Sequence, residues 1–244
     1  MLSNKVVKDI QSLSDKKHRD EARLFVAEGP KIVAEMIAAA AFQIEAIYAL
    51  PAWAEANATQ FQGLPLTIVD ERMLQRLSNL QTPNQVLAIM RQFPSQAPND
   101  IEGWVLYLDT IQDPGNMGTI IRLADWFAIS HIVCTPGCAD PYNNKVVQST
   151  MASLARVNIW VDKTGSWIGE QQLPVWAAAL NGQSLYEVAV PSTGILMIGN
   201  ESKGLGPGLM ERATQKITIP RKGKAESLNA AVATGIILSH LNLH

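Results

Sequence analysis

The sequence predicts an α/β protein. Its larger part is a mostly parallel sheet with helices on both sides, and a smaller α/β unit precedes it. Three observations carry this reading. WVLYLDT (104–110), HIVCT (131–135), VWAAAL (175–180), ILMIG (195–199) and KITIP (216–220) are short, apolar and mostly unalternated, as strands covered on both faces are. Helical patterns lie between most of them, and strand–helix–strand repetition implies parallel pairing. RQFPSQAPNDIEG (91–103) holds two prolines, polar residues and no periodicity, so it reads as a linker. The expected organisation is a first domain over 1–93, a linker over 94–102 and a second domain over 103–244.

The first domain reads as a polar helix over 4–23, a strand LFVAEG, and a helix PKIVAEMIAAA with Pro30 in its first turn. Strands IEAIYAL and LTIVD, a helix ERMLQRLS and a strand QVLAIMRQ follow. In the second domain the helical patterns are NMGTIIRLADWFA, NKVVQSTMASLARV, GPGLMERAT and SLNAAVATGIILSHL.

The 244 residues are 47% hydrophobic and 17% charged, which excludes a disordered chain and supplies ample core. A net charge of −2 gives no global sign of nucleic-acid binding, although local charge can still provide it. MLSNKVVKDIQSL lacks the apolar core of a signal peptide, and no apolar stretch is long enough to span a bilayer. A soluble, cytoplasmic protein is the expectation. The two cysteines, Cys134 and Cys138, read as free thiols, since a zinc site would normally need four ligands. The four histidines are His18, His131, His240 and His244; two of them sit at the C-terminal end, so neither a triad nor a metal cluster is expected.

Ligands of parallel α/β sheets bind at the carboxyl ends of strands, so the loops there need explaining. The first is DPGNMGTIIRLADW (113–126). Met117, Ile120, Ile121 and Ala124 form a buried helical face, with Arg122 off it. Gly118 lies one turn below Arg122 and leaves room for a ligand, and Asn116 sits where a helix cap is expected. On its own this loop reads equally well as a Pro-Gly turn, an Asn cap and a surface arginine.

The second loop, GNESKGLGPGL (199–209), has more glycine than a turn needs. It lacks the lysine of a phosphate-binding P-loop, and it lacks the spacing of a dinucleotide fingerprint. It keeps a carboxylate, Glu201, near a strand end; the plain alternative is a glycine-rich turn with solvated charges. The third, IPRKGKAESLNAAVATG (219–235), carries three of the four cations, Lys216, Arg221, Lys222 and Lys224, that fall over 216–224 without an acid, with Ser227 and Asn229 at the start of the last helix. Its plain alternative is a charged surface loop with a serine cap.

Taken together, the three loops resemble the signature motifs of the SpoU family of RNA ribose 2′-O-methyltransferases, in the SPOUT superfamily. The matching stretches are DPGNMGTIIR, IGNESKG and IPRKGKAESLN, in the family's order and spacing. KKHRDEARLFVAEGPKIVAEMI is similar to the RNA substrate-binding domain often found ahead of such domains.

The resemblance implies a C-terminal trefoil knot, a homodimer with active sites near the subunit interface, and S-adenosylmethionine as cofactor with no metal. Cofactor contacts would come from Asn181, Gly182, Ile198, Gly199, Ile219 and Leu228. It implies Arg122 as the catalytic cation beside the ribose hydroxyl, with Asn116, Glu201, Ser227 and Asn229 completing the site. Glu201 would pair with Arg122. Lys16, Lys17, Arg19, Lys222 and Lys224 would meet the RNA backbone. Ribosomal RNA is favoured as substrate; transfer RNA, or a non-catalytic RNA-binding role, are the alternatives.

Overall fold

In the computed structural model, residues 2–94, 96–99 and 101–242 are described. Ser95 and Asp100 of the expected linker, and His244, lie outside them. The chain forms α1 (Asn4–Ser12), α2 (Lys16–Ala22), β1 (Leu24–Glu28), α3 (Pro30–Ala38), β2 (Ile44–Ala49), α4 (Pro51–Ala56), β3 (Leu66–Ile68), α5 (Glu71–Leu77) and β4 (Val86–Arg91). It continues with β5 (Trp104–Leu108), α6 (Pro114–Trp126), β6 (His131–Cys134), α7 (Asn144–Thr150), β7 (Asn158–Val161), α8 (Trp167–Glu170), β8 (Val175–Ser184), β9 (Gly194–Ile198), α9 (Pro207–Met210), β10 (Gln215–Thr218) and α10 (Ala230–Leu241). Two compact units result: Met1–Pro94 with Asp140–Arg156, and Ser95–Ala139 with Val157–His244.

The first unit has a four-stranded sheet in the order β1-β4-β2-β3. β4 runs antiparallel to β1 and β2, and β2 is parallel to β3. Val7 and Ile10 of α1 and Leu74 and Leu77 of α5 pack with Val26, Leu87 and Ile89 in one apolar cluster. The single helix expected over 4–23 is two helices. Leu13 closes α1, and the Asp15 carboxylate caps α2 by accepting the Lys17 N–H at 2.8 Å. α7 packs on β1, and the rings of Phe25 and Tyr142 lie 4.9 Å apart.

The second unit has a six-stranded, wholly parallel sheet in the order β10-β8-β9-β5-β6-β7. β5 and β9 are buried along their whole length, which is why their sequences do not alternate. Tyr107, Val105, Ile195, Met197 and Trp167 share one apolar cluster. β7 was not expected; it is a short edge strand whose four residues are all half-buried. β8 runs to Ser184, so the loop expected to start at Asn181-Gly182 is strand instead. A Cβ on Gly182 would lie 2.6 Å from the backbone of Ile217, so glycine is what lets β10 pass this close. The register between β8 and β10 shifts there, between Lys216 and Ile217.

Among the described residues, no helix is long and apolar enough to cross a membrane.

Candidate active site

The site is built within the second unit, at the carboxyl ends of β5, β8, β9 and β10. α6 begins right after the loop that leaves β5. Its N-cap is Asp113, whose carboxylate accepts the Asn116 N–H at 2.8 Å, with Pro114 in the first turn. Asn116 is therefore not the cap that the sequence suggests. Asp113 satisfies the helix end, which leaves the Asn116 side-chain amide for other work. Gly118, expected to leave room for a ligand, is buried.

That amide joins the three motifs. Asn116 Nδ2 donates to the Glu201 carboxylate in the loop after β9. Asn116 Oδ1 accepts from Asn229 Nδ2 at 2.8 Å. Asn229 is in turn the N-cap of α10, its Oδ1 accepting from the N–H groups of Ala231 at 3.0 Å and Val232 at 3.2 Å. Both atoms of each asparagine amide are thus committed, and the line Asn229–Asn116–Glu201 has one orientation. It links positions 85 and 113 residues apart in sequence.

Beside this line lies a cavity of about 830 Å³. Of the residues that the resemblance names as cofactor contacts, Asn181, Ile198, Gly199, Ile219 and Leu228 line it, while Gly182 is not among its lining residues. Glu201, Ser227 and Lys222 line it too, and Lys224 is exposed on the same loop. Its floor is close-packed: a Cβ on Gly199 would lie 2.3 Å from the Gly204 carbonyl carbon. A side chain there is sterically impossible, so this wall is bare backbone.

The size and lining suit a nucleoside-sized ligand. Apolar side chains can cover a base, and backbone edges with a few polar groups can fix its orientation.

Arg122 is elsewhere. It is exposed on α6, and among the described residues it does not line the cavity. The ion pair expected between Arg122 and Glu201 does not form; the carboxylate is bonded to Asn116 instead. Arg122 stands six positions beyond Asn116, about 9 Å further along the axis and on another face. Trp126, one turn beyond Arg122 on its face, is 79% exposed.

Arg19, in the first unit, is a correction. It was expected to face RNA, yet it is 1% exposed. Its guanidinium donates to Asp140 at 2.6 and 3.1 Å and to the carbonyls of Leu13 and Ser14 at 2.8 Å. A guanidinium so engaged cannot bind phosphate. Lys16 and Lys17 are exposed, with Lys16 paired to Asp20 at 2.6 Å.

Cys134 and Cys138 are free thiols, the first buried. A hydrogen bond from the Cys134 thiol brings Cys138 down to about 7, and that same bond, with burial second, pushes Cys134 up. Among the described residues, no three His, Cys, Asp or Glu side chains converge as metal ligands.

Sequence reasoning missed Asp113, Asp109 and Asn200, which shape the loops. Asn200 carried a usable signal, because its Oδ1 accepts from the N–H groups of Ser202 at 3.0 Å and Lys203 at 3.2 Å, an ordinary Asx turn.

A wholly parallel α/β unit with a nucleoside-sized cavity beside converging glycine-rich loops defines a class of small-molecule-binding α/β domains. Residues 103–239 match the SpoU rRNA Methylase family, and residues 4–88 match the MRM3-like substrate binding domain. The chain belongs to the SpoU rRNA methylase family. It is 29% identical over 246 residues to the 23S rRNA (guanosine(2553)-2′-O)-methyltransferase RlmP of Bacillus subtilis (strain 168), covering 98% of this chain and 96% of that one. A structure of AdoMet-bound rRNA methyltransferase from Sinorhizobium meliloti is 33% identical, with a TM-score of 0.88 over 100% of this chain and 96% of that one. A Porphyromonas gingivalis protein assigned to the TrmH family is 36% identical, with a TM-score of 0.88 over 99% of this chain and 98% of that one.

Proposed function

We infer that this protein transfers a methyl group from S-adenosylmethionine to a ribose 2′-hydroxyl of ribosomal RNA. The observation that carries the reading is the Asn229–Asn116–Glu201 line at the rim of the cavity, which draws one residue from each of the three motifs. The names of relatives aligned along nearly the whole chain support ribosomal RNA, and one solved relative holds AdoMet.

The residues present fit the cofactor. Ile198, Ile219 and Leu228 would cover its base, and the bare backbone at Gly199 would admit it closely. When bound, it supplies an electrophilic methyl group on a sulfonium.

The protein's own task is to make a poor nucleophile react. A 2′-hydroxyl attacks well only as its proton leaves, so negative charge on that oxygen must be stabilised. Arg122 does this as a fixed cation. Its guanidinium stays protonated and lowers the hydroxyl's pKa by charge and hydrogen bonding, without acting as a base. Asn116, held from both sides, orients the ribose together with Ser227. Glu201 keeps the Asn116 amide in one orientation and adds a negative charge at the rim. Lys222 and Lys224, with Lys16 and Lys17 in the first domain, attract the phosphate backbone, so affinity should fall steeply with salt. The 2′-hydroxyl as acceptor restricts the substrate to RNA.

The active form in this reading is a homodimer whose second domain carries a C-terminal trefoil knot. Trp126 on α6 and Val232 on α10 are exposed apolar residues on two helices packed against each other, and Arg122 shares the face of Trp126. Pairing through this face sets Arg122 at the interface, which accounts for its place outside the lining of the cavity of its own chain. Domains over 1–93 and 103–244, joined by 94–102, complete the reading. Work on ribosomal RNA goes with a cytoplasmic location.

The test is methyl transfer from labelled S-adenosylmethionine to unmodified ribosomal and transfer RNA, followed by digestion to nucleosides, with Arg122→Ala as control. Label in a 2′-O-methyl nucleoside of ribosomal RNA, lost in the variant, is the expected result. Label on a base, or on transfer RNA alone, would contradict the reading. Cofactor binding without transfer to either RNA would favour a non-catalytic RNA-binding role.

A further inference from the structure

Asp109, the first residue after β5, has no part in the chemistry above, yet three donors converge on its carboxylate. Oδ1 accepts from the hydroxyls of Thr110 at 2.8 Å and Thr135 at 3.2 Å. Oδ2 accepts from the Gly206 N–H at 2.9 Å. The backbone N–H of Asp109 also donates to the Ile198 carbonyl at 2.8 Å, so the residue sits directly beside the end of β9. Gly206 closes the far end of the loop that begins at Gly199.

The near end is fixed to the same place. Asn200 Nδ2 donates to the Thr110 carbonyl at 3.0 Å. Asn200 and Gly204 exchange backbone hydrogen bonds of 3.1 and 2.8 Å, pinching the loop shut. Thr110 itself is held, its N–H donating to Thr135 Oγ1 at 3.0 Å. Residues 199–205 form one wall of the cavity, and both ends of that wall are tied to the segment Asp109–Thr110. Glu201, on the same loop, is tied separately, to Asn116.

We propose that Asp109 is a positioning residue for the cofactor: its carboxylate holds the 199–206 loop in the conformation that forms the cavity wall. The proposal rests on reading the cavity as the S-adenosylmethionine site. The two ties act on different steps. Asp109 shapes the wall that meets the cofactor, whereas the Asn116–Glu201 tie serves the ribose. Loss of the Asp109 carboxylate therefore weakens cofactor binding and spares turnover once the cofactor saturates. An amide in its place can turn its oxygen to the Gly206 N–H and its NH2 to the threonine hydroxyls, which accept as readily as they donate.

The experiment compares the wild-type chain with Asp109→Ala and Asp109→Asn. S-adenosylmethionine affinity is measured by calorimetry, and methyl transfer is followed at varied cofactor concentration. For Asp109→Ala, Kd and KM for the cofactor should rise about tenfold, the scale of a lost charged hydrogen bond, with kcat within about threefold of wild type. Asp109→Asn should restore most of the affinity. Wild-type affinity in Asp109→Ala, or a fall in kcat with KM unchanged, would overturn the proposal. If Asp109→Ala does not fold, Thr135→Val removes one donor from the same carboxylate. KM should then rise about threefold, and an unchanged KM would overturn the proposal. Absence of S-adenosylmethionine binding by the wild-type chain would overturn the cofactor reading of the cavity, and this proposal with it.

Discussion

The two compact units use charge in opposite ways. In the first, Arg19 and Glu28 are buried and turned inward, onto other parts of the fold: Arg19 on Asp140 and two carbonyls, Glu28 on the Ser78 hydroxyl and the Asn79 N–H. In the second, Asp109, Asp113 and Glu201 stand at strand and helix ends and fix loops around a cavity. The basic run KKHRD looked like an RNA surface, yet its arginine is a structural pin. Glu201, in a loop that alone reads as a glycine-rich turn with solvated charges, is bonded to Asn116, and Asp109 and Asp113 hold neighbouring loops. Burial and the geometry of element ends decide what a charge does; its neighbours in sequence do not.

The largest effect that would break this contrast is on stability. Arg19→Ala leaves Asp140 without its partner and two carbonyls without their donor, so it should cost about 3–5 kcal/mol, read by chemical denaturation. A loss of RNA affinity with unchanged stability would instead return Arg19 to the RNA surface. Next comes Arg122→Lys, which keeps a charge and loses the planar fork. Turnover should fall about 100-fold with the melting temperature unchanged. Near wild-type turnover would remove the arginine from the chemistry.

A smaller effect sharpens the same comparison through pH. Burial raises the Glu28 carboxyl above its ordinary 4.5. The native state then keeps this proton to higher pH than the unfolded chain does. The contribution to stability is full below about 4.5 and is lost as pH rises through the raised value. Glu28→Gln should flatten that part of the melting-temperature profile while keeping the bonds to Ser78 and Asn79. An unchanged slope would show that another group sets it.

The sequence made much of the fold legible. β5, β6 and β9 announce themselves because strands buried on both faces need unbroken apolar runs. β7 was hidden because NIWV is a short edge strand with no alternating pattern, and α4, PAWAEA, because six residues are too few for a periodic signal. The polar end of β8 reads as a loop; only its pairing with β10 makes it strand.

Three loops at strand ends were legible as places to look, and the resemblance to one family joined them into a site; singly, each also reads as an ordinary turn, cap or charged loop. The order within the site was not legible. That Asp113 would take the cap and free Asn116 is a competition between two good capping residues three positions apart, settled by backbone geometry. The Asn229–Asn116–Glu201 line and the Asp109 clamp depend on contacts between distant segments, which no local pattern encodes.

The most direct test of this site is the methyl-transfer rate of Asn116→Asp at saturating S-adenosylmethionine, with cofactor affinity measured beside it. The substitution keeps the size of the side chain but sets a carboxylate against Glu201 in place of an N–H donor. A rate at least about 100-fold lower, with cofactor affinity unchanged, is the expected result. A rate within about threefold of wild type would mean that the Asn229–Asn116–Glu201 line does not organise the reaction.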